Sequence, residues 1–247
     1  FGRVFRGKRS ATGNIVAAKN VILKWHNREY VRQEVDIMNS IKGHDNILAI
    51  LFDKIEDSQV WMILDYCDMG NLSDYAERNP LNLAFILNIC HQSTSALVHL
   101  LSLKPKAIVH RDIKPENILL KSTFGGPQVK ICDFGVAKKV NTTDLETGCG
   151  TGHFKAPELF ADDPNYTRSV DVFALGIVIF HLLRSLPGHN LECEEVRGDP
   201  IGFLLNKILK LKVPKDTGLK EQKEKWSPVQ FKLDDPEEVV LVKRMVV

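Results

Sequence analysis

HRDIKPEN, residues 110–117, is the stretch that decides how the rest of this sequence is interpreted. It places Asp112 five positions before Asn117, on a loop that leads into the apolar run at residues 118–120. A carboxylate in such a loop can accept the proton of an attacking hydroxyl, and an amide oxygen can bind Mg²⁺. The pattern therefore suits phosphoryl transfer, and it makes both residues candidates for the chemistry.

Further motifs lie on both sides of this stretch, in a fixed order. DFG (residues 133–135) directly follows a strand-like run, which places the Asp133 carboxylate to bind Mg²⁺ at nucleotide phosphates. APE (156–158) comes later, and VAAK (16–19) stands upstream, with Glu34 on the predicted helix of residues 27–41. A single motif of this kind is weak evidence, but four in order and at consistent spacing are hard to obtain by chance.

With these motifs the chain resembles a eukaryotic protein kinase domain of the serine/threonine type. The resemblance implies an α+β, two-lobed protein-kinase-like fold, with a small antiparallel β lobe and one helix over a larger, mainly helical lobe. We expect one domain, with the small lobe at residues 1–66 and the large lobe at 67–247. Only Gly2 and Val4 match the glycine-rich loop, so the small lobe is expected to lack its first strand. The large lobe is expected to lack its last helices.

The resemblance also implies transfer of the ATP γ-phosphoryl group to Ser or Thr hydroxyls of protein substrates, with ATP and Mg²⁺ as cofactors. Asp112 would act as the base, and Lys114 would steady the transferring phosphoryl group. Lys19, paired with Glu34, would orient the phosphates. Lys114 is also the residue that serine/threonine members carry two positions after the catalytic Asp.

Metal and nucleotide ligands follow from the same matching. Asn117 and Asp133 would hold the metal, Leu64 would be the gatekeeper of the adenine pocket, and residues 65–67 would be the hinge. Asp171 would hold the backbone at residues 110–111. The ATP site as a whole would comprise Gly2, Val4, Ala17, Lys19, Leu64, Asp65, Cys67, Leu119 and Asp133.

Regulation is expected from the residue that precedes the catalytic Asp. Arg111 matches the family members whose activation loop is ordered by a phosphate, and a phosphate charge would pair with a guanidinium. Thr147 is the first candidate to receive it, from an upstream kinase or from another copy of the chain. Thr151 would bond Asp112 and Lys114. The alternative is that these threonines are ordinary polar loop residues.

Other interpretations remain open at the level of sequence. A pseudokinase or scaffold of the same fold typically lacks the VAAK lysine, the HRD aspartate or the DFG aspartate, and all three are present here. A small-molecule kinase of related fold usually lacks the segment that leads into APE. Cys132, next to Asp133, is either a reactive thiol activated by Lys19 or a small apolar filler.

Composition excludes several other classes. The chain has 247 residues, 33 Lys and Arg against 31 Asp and Glu, and a net charge of +2, which gives no electrostatic reason to bind nucleic acid or a membrane surface. The longest apolar run, residues 172–180, is about half of a membrane span, so no membrane segment is expected. Five cysteines without a C-x-x-C pair favour a reducing, cytoplasmic setting.

Hydrophobic periodicity predicts the order of the elements. Strands are expected at residues 4–9, 15–21, 47–54, 60–65, 118–120 and 129–131. Helices are expected at residues 27–41, 81–103, 170–183, 199–211 and 236–247. The lysine-rich region 207–225 is expected to be a solvated face.

Overall fold

A computed structural model describes residues 2–140, 154–156 and 169–186. The chain separates into two compact units. The first comprises residues 1–75, 92–110 and 115–139, and the second comprises residues 76–91, 111–114 and 140–247. The expected lobe boundaries at 66 and 67 stay a prediction.

The first unit contains a four-stranded antiparallel sheet with strand order β1-β2-β4-β3. Its strands are β1 (Arg3–Lys8), β2 (Ile15–Ile22), β3 (Ile50–Ile55) and β4 (Gln59–Asp65). β4 shows the alternation of buried and half-buried side chains that a period of two produces. The expected strand from residue 47 begins only at Ile50, and Ile47 instead forms an isolated bridge to Ile131.

Helix α1 (Arg28–Ser40) follows β2. Asn27 organises the turn before it, because its side chain accepts a hydrogen bond from the Lys24 N–H at 2.7 Å and donates one to the Ile22 carbonyl at 3.1 Å. The buried residues Val31, Glu34, Val35, Ile37 and Met38 recur at helical spacing. Glu34 is thus a carboxylate on an otherwise apolar face, which requires a partner.

Two short two-stranded sheets complete the described strands. β6 (Ile118–Lys121) pairs antiparallel with β7 (Gln128–Ile131), and β5 (Ala107–Val109) pairs with β8 (Lys138–Val140). Neither β5 nor β8 is among the predicted strands. Each has only three residues, too few to show a periodic pattern.

Three further helices are described: α2 (Leu72–Arg78), α3 (Leu83–Ser102) and α4 (Ser169–Arg184). α3 is long and apolar enough to pass a length-and-composition test for a membrane span. The core helix of a globular domain passes the same test, and Ile86, Ile89, Ala96 and Leu100 of α3 are fully buried. α4 is buried nearly all round, as its continuous apolar sequence predicts. The helices predicted at 199–211 and 236–247, and the region 207–225, lie outside the described residues.

Candidate functional site

Strand β2 and helix α1 supply the first charged pair of the candidate site. Lys19 Nζ donates a hydrogen bond to Glu34 Oε1 at 2.6 Å. Burial is the largest influence and lowers the pKa of Lys19, but the Glu34 charge and hydrogen bond, with the charge of Asp133, outweigh it. The pKa of Lys19 therefore lies above its usual value. The ammonium stays charged at neutral pH and can act as a fixed cation for phosphate oxygens.

Asp133 follows β7 in a left-handed backbone conformation, with φ of 65°. Such a conformation costs a non-glycine residue about 1–3 kcal/mol and persists only where the surroundings hold it. Phe134 is 1% exposed and meets the His110 ring edge-on, with ring centroids 4.8 Å apart. His110 Nε2 donates to the Cys132 carbonyl at 2.9 Å, so His110 anchors the chain on both sides of Asp133.

Gly135 brings the same segment against the Lys19–Glu34 pair. A β-carbon at Gly135 would lie 3.2 Å from Asp133 Oδ1 and 3.7 Å from Glu34 Oε2. The Gly135 N–H also donates to Asp133 Oδ1 at 3.4 Å. The close approach needs a residue without a side chain, and it gathers one ammonium and two carboxylates in one neighbourhood.

The β6–β7 hairpin sets the position of Asn117. Ile118 lies opposite Ile131, and the Cys132 N–H donates to the Asn117 carbonyl at 3.0 Å, so Asn117 and Asp133 emerge at the same end of the hairpin. Their oxygens are hard ligands of the kind that Mg²⁺ takes from proteins, with water and phosphate completing the shell. The donor set fits the expected metal. The described residues contain no cluster of three or more His, Cys, Asp or Glu side chains that would form an all-protein metal site.

Residues Arg111–Lys114, which the sequence predicts to be part of the catalytic loop, belong to the second unit. Arg111 has φ of 66°, and its N–H donates to Asp171 Oδ1 at 2.8 Å. Asp171 is 2% exposed at the start of α4, so a buried carboxylate holds the strained backbone next to Asp112. This contact is the one that the sequence assigned to Asp171.

Asp112 and Lys114 form an ion pair in this loop, with Lys114 Nζ 2.8 Å from Asp112 Oδ2. Both side chains are largely but not fully buried, with 13% of Asp112 and 21% of Lys114 exposed. Asp112 lines a small pocket with Phe154 and Lys155. The carboxylate is thus accessible to a small group such as a hydroxyl.

The predicted hinge begins at the end of β4. The Asp65 N–H donates to the Ala49 carbonyl at 3.0 Å, and the Tyr66 N–H donates to Asp65 Oδ1 at 3.1 Å. Within the part of the chain that the structure describes, the Cys67 N–H has no hydrogen-bond partner. Leu64, the last residue but one of β4, is buried. A backbone donor and a buried apolar side chain in this segment are the kinds of group that bind the edge and face of an adenine ring.

The thiols next to these residues are not activated. Burial, together with the charge of Asp65, raises the pKa of Cys67 to about 11. Burial, together with the charge of Asp133, raises the pKa of Cys132 far above its usual value, although Lys19 acts in the opposite direction. Of the two interpretations of Cys132, the structure favours the apolar filler, because desolvation outweighs the neighbouring cation.

The structure describes only some of the remaining predicted site residues. Val4 is exposed on β1, whereas Ala17 and Leu119 are half-buried on β2 and β6. Gly2 approaches β2 so closely that a β-carbon would lie 2.5 Å from the Asn20 carbonyl oxygen. The regulatory candidates Thr147 and Thr151 lie outside the described residues.

Sequence reasoning missed one set of charged residues. Lys121 Nζ lies 2.8 Å from both carboxylate oxygens of Asp65, and Lys130 Nζ lies 3.9 Å from one of them. Lys130 is only 7% exposed. Each lysine resembles a surface residue in sequence, and the one available signal was a lysine between two apolar residues, Val129 and Ile131, of β7.

Comparison with known proteins agrees with this geometry. The family described as protein kinase domain matches residues 1–229. Serine/threonine-protein kinase TIO of Arabidopsis thaliana is 35% identical over 193 residues, which cover 76% of this chain and 14% of that protein. Serine/threonine-protein kinase KIC1 of Saccharomyces cerevisiae is 30% identical over 231 residues, 90% of this chain and 20% of that protein.

Serine/threonine-protein kinase ste20 of Aspergillus oryzae is 31% identical over 194 residues, which cover 77% of this chain and 22% of that protein. The chain therefore spans between 14% and 22% of the length of these relatives.

The fold and the site together define a protein kinase domain. This chain belongs to that family, and the expected family and two-lobed α+β fold class are confirmed. These relatives are named serine/threonine-protein kinases.

Proposed function

We propose that this domain transfers the γ-phosphoryl group of ATP to Ser or Thr hydroxyls of protein substrates. The observation that carries the proposal is the Lys19–Glu34 ion pair of 2.6 Å, with Asp133 and Gly135 packed beside it. Holding a half-buried ammonium against a buried carboxylate costs desolvation energy, and binding of an anionic ligand at Lys19 would explain why the pair is present. Family membership supports ATP as the ligand.

On this proposal each unit has its own task. In the first unit, Lys19 neutralises phosphate oxygens, and Asn117 and Asp133 hold Mg²⁺. The metal, when bound, screens the charge that builds up on the phosphate oxygens. Leu64, Asp65 and Cys67 contact the adenine, with Val4, Ala17 and Leu119 on its faces and Gly2 in the loop above the phosphates.

In the second unit, Asp112 orients the acceptor hydroxyl and takes its proton. Lys114, whose Nζ lies 2.8 Å from Asp112 Oδ2, supplies positive charge beside the phosphoryl group during its transfer. Positioning and charge stabilisation supply most of the rate gain in a loose phosphoryl-transfer reaction. The open concave surface at Asp112 supports access for a hydroxyl side chain.

The proposal extends to regulation and cellular setting. A phosphate on Thr147, added by an upstream kinase or by another copy of the chain, pairs with Arg111 and orders the activation loop. Thr151 bonds Asp112 and Lys114. The domain acts inside the cell, in a signalling role, and its lobes divide at residues 66 and 67.

Mg²⁺-dependent ATP turnover on a generic Ser/Thr protein substrate tests the function. The parent should phosphorylate the substrate, and Asp112→Asn should lower kcat by at least a hundredfold while ATP binding is retained. Asp57→Asn, at an exposed carboxylate on the turn between β3 and β4, is the matched control and should leave turnover unchanged.

Two results contradict the proposal in different ways. Normal Mg²⁺–ATP binding without turnover, after Thr147 has been phosphorylated, would favour a scaffold of the same fold. Absence of ATP binding in the folded parent would show that Lys19, Asn117 and Asp133 do not form a nucleotide site.

A further inference from the structure

Residues 65–71, here called the linker, are bound along strand β6. The Met69 N–H donates to the Leu120 carbonyl at 3.1 Å, and the Leu120 N–H donates to the Gly70 carbonyl at 2.8 Å. The backbone N–H of Ser122 donates to Asp68 Oδ1 at 2.8 Å, and its hydroxyl donates to the other oxygen of that carboxylate. The linker therefore shares hydrogen bonds with the strand that follows Asn117.

An ion cluster forms at Asp65, the first residue of the linker. Lys121 Nζ donates to both oxygens of Asp65 at 2.8 Å, and Lys130 Nζ lies 3.9 Å from Asp65 Oδ2. Burying an ammonium without a counter-charge is costly, and Lys130 is 7% exposed. Asp65 is thus the shared counter-ion of a half-buried lysine and a buried lysine, and both ammonium groups act on the position of its carboxylate.

The effect passes from the side chain to the hinge backbone. The same Asp65 carboxylate accepts the Tyr66 N–H at 3.1 Å, so holding the carboxylate orients the peptide group that precedes Cys67. The Arg6 guanidinium lies over the Tyr66 ring, 5.5 Å from its centre, and makes a second contact to this residue. The next backbone donor, the Cys67 N–H, makes no hydrogen bond to any residue that the structure describes.

We infer that Lys121 is a positioning residue for adenine recognition, acting through Asp65 on the hinge backbone at Tyr66 and Cys67. The inference rests on the proposed function, because it assumes that adenine binds at the hinge. Lys121 is not among the residues proposed to hold the phosphates or the acceptor hydroxyl. Its loss should therefore weaken binding of the adenosine moiety and leave the phosphoryl-transfer step unchanged.

Lys121→Met removes the charge and keeps the length of the side chain. We expect KM for ATP and the inhibition constant of adenosine to rise together by about threefold to tenfold, with kcat within twofold of the parent. Inhibition by tripolyphosphate, which lacks adenine, should not change. Lys121→Arg should restore both constants to within twofold, since a guanidinium can also donate two hydrogen bonds to one carboxylate.

Lys54→Met is the matched control, because Lys54 also pairs with a carboxylate (Glu56, at 2.7 Å) but lies on β3, outside the hinge. It should leave all three constants unchanged. Asp65→Asn is the second variant: it keeps the shape and an oxygen acceptor, and it should shift KM for ATP in the same direction by a smaller factor. Thermal unfolding of each variant separates hinge effects from loss of fold.

The outcomes separate this inference from the proposed function. An active parent whose Lys121→Met variant binds adenosine and ATP as tightly as before would overturn the inference and leave the function intact. An equal loss for tripolyphosphate would also overturn it, since the effect would then not be specific to adenine. A folded parent without ATP turnover or adenosine binding would overturn the proposed function itself.

Discussion

The contact between Asp171 and Arg111 leads to a prediction with a calculable magnitude. Asp171 Oδ1 accepts the Arg111 N–H at 2.8 Å, and Asp171 is 2% exposed. A hydrogen bond to a charged group contributes about 1.5–3 kcal/mol, and the left-handed Arg111 backbone costs about 1–3 kcal/mol. The bond is therefore of the right size to offset the strain at the residue before Asp112.

Asp171→Ala removes the acceptor, and the catalytic loop should lose about 2–3 kcal/mol of its preference for the active conformation. At about 1.36 kcal/mol for each factor of ten, kcat should fall by roughly 30-fold to 150-fold. Asp171→Asn keeps an oxygen acceptor without the charge, so a loss of about 1 kcal/mol, or roughly fivefold in kcat, is expected.

Steady-state kinetics with protein substrate measures both variants. KM for ATP should stay within twofold of the parent, because Lys19, Asn117 and Asp133 belong to the other compact unit. Ser185→Ala, at an exposed position just after α4, is the control and should behave as the parent. Asp171→Ala with kcat within threefold of the parent, in a folded protein, would refute the reasoning.

Two further predictions concern the first unit. Lys19→Met leaves the buried Glu34 carboxylate without its ammonium partner and should lower the free energy of unfolding by about 3 kcal/mol, measured by urea denaturation. Adding Glu34→Gln to Lys19→Met should recover part of that stability but no ATP turnover. A Lys19→Met variant that is as stable as the parent would contradict the Lys19–Glu34 ion pair. Because the pKa of Cys67 is about 11, its thiolate is scarce at pH 8, and iodoacetamide should alkylate Cys67 about a hundredfold more slowly than a free peptide cysteine. The rate should rise with pH toward 11 in peptide mapping by mass spectrometry, and alkylation at the peptide rate would show that the thiol is not desolvated.

Much of the fold follows from local patterns. The ends of helices α1, α3 and α4 agree with the predicted ends to within about two residues. In α1 apolar residues repeat at helical spacing, whereas α4 is a long, continuously apolar segment. β5, β8 and the seven-residue helix α2 were missed as separate elements. They are short, and their partners in space fix them more than their own sequence does.

Sequence motifs also selected the residues of the candidate site. Lys19, Glu34, Asn117 and Asp133 were selected by motif, and the structure places Lys19 beside Glu34, and Asn117 and Asp133 at one end of a hairpin. Their roles stay predictions until the variants are assayed. The sequence left open whether Cys132 is a reactive thiol or an apolar filler, because a motif shows the nearby lysine but not the degree of desolvation. In the structure, burial raises the pKa of the thiol more than Lys19 lowers it.

The sequence by itself determined the family, the order of the main elements and the candidate residues for the chemistry, since motifs and periodicity are local properties of the chain. The resemblance also assigned Asp171 to the backbone at residues 110–111, but only the tertiary structure decided the left-handed conformation of Arg111, which the Asp171 carboxylate holds. It alone also decided the pairing of Asp65 with Lys121, fifty-six positions away. Contacts at such separations depend on how strands and helices pack, and the strength of a charge depends on how much water that packing removes.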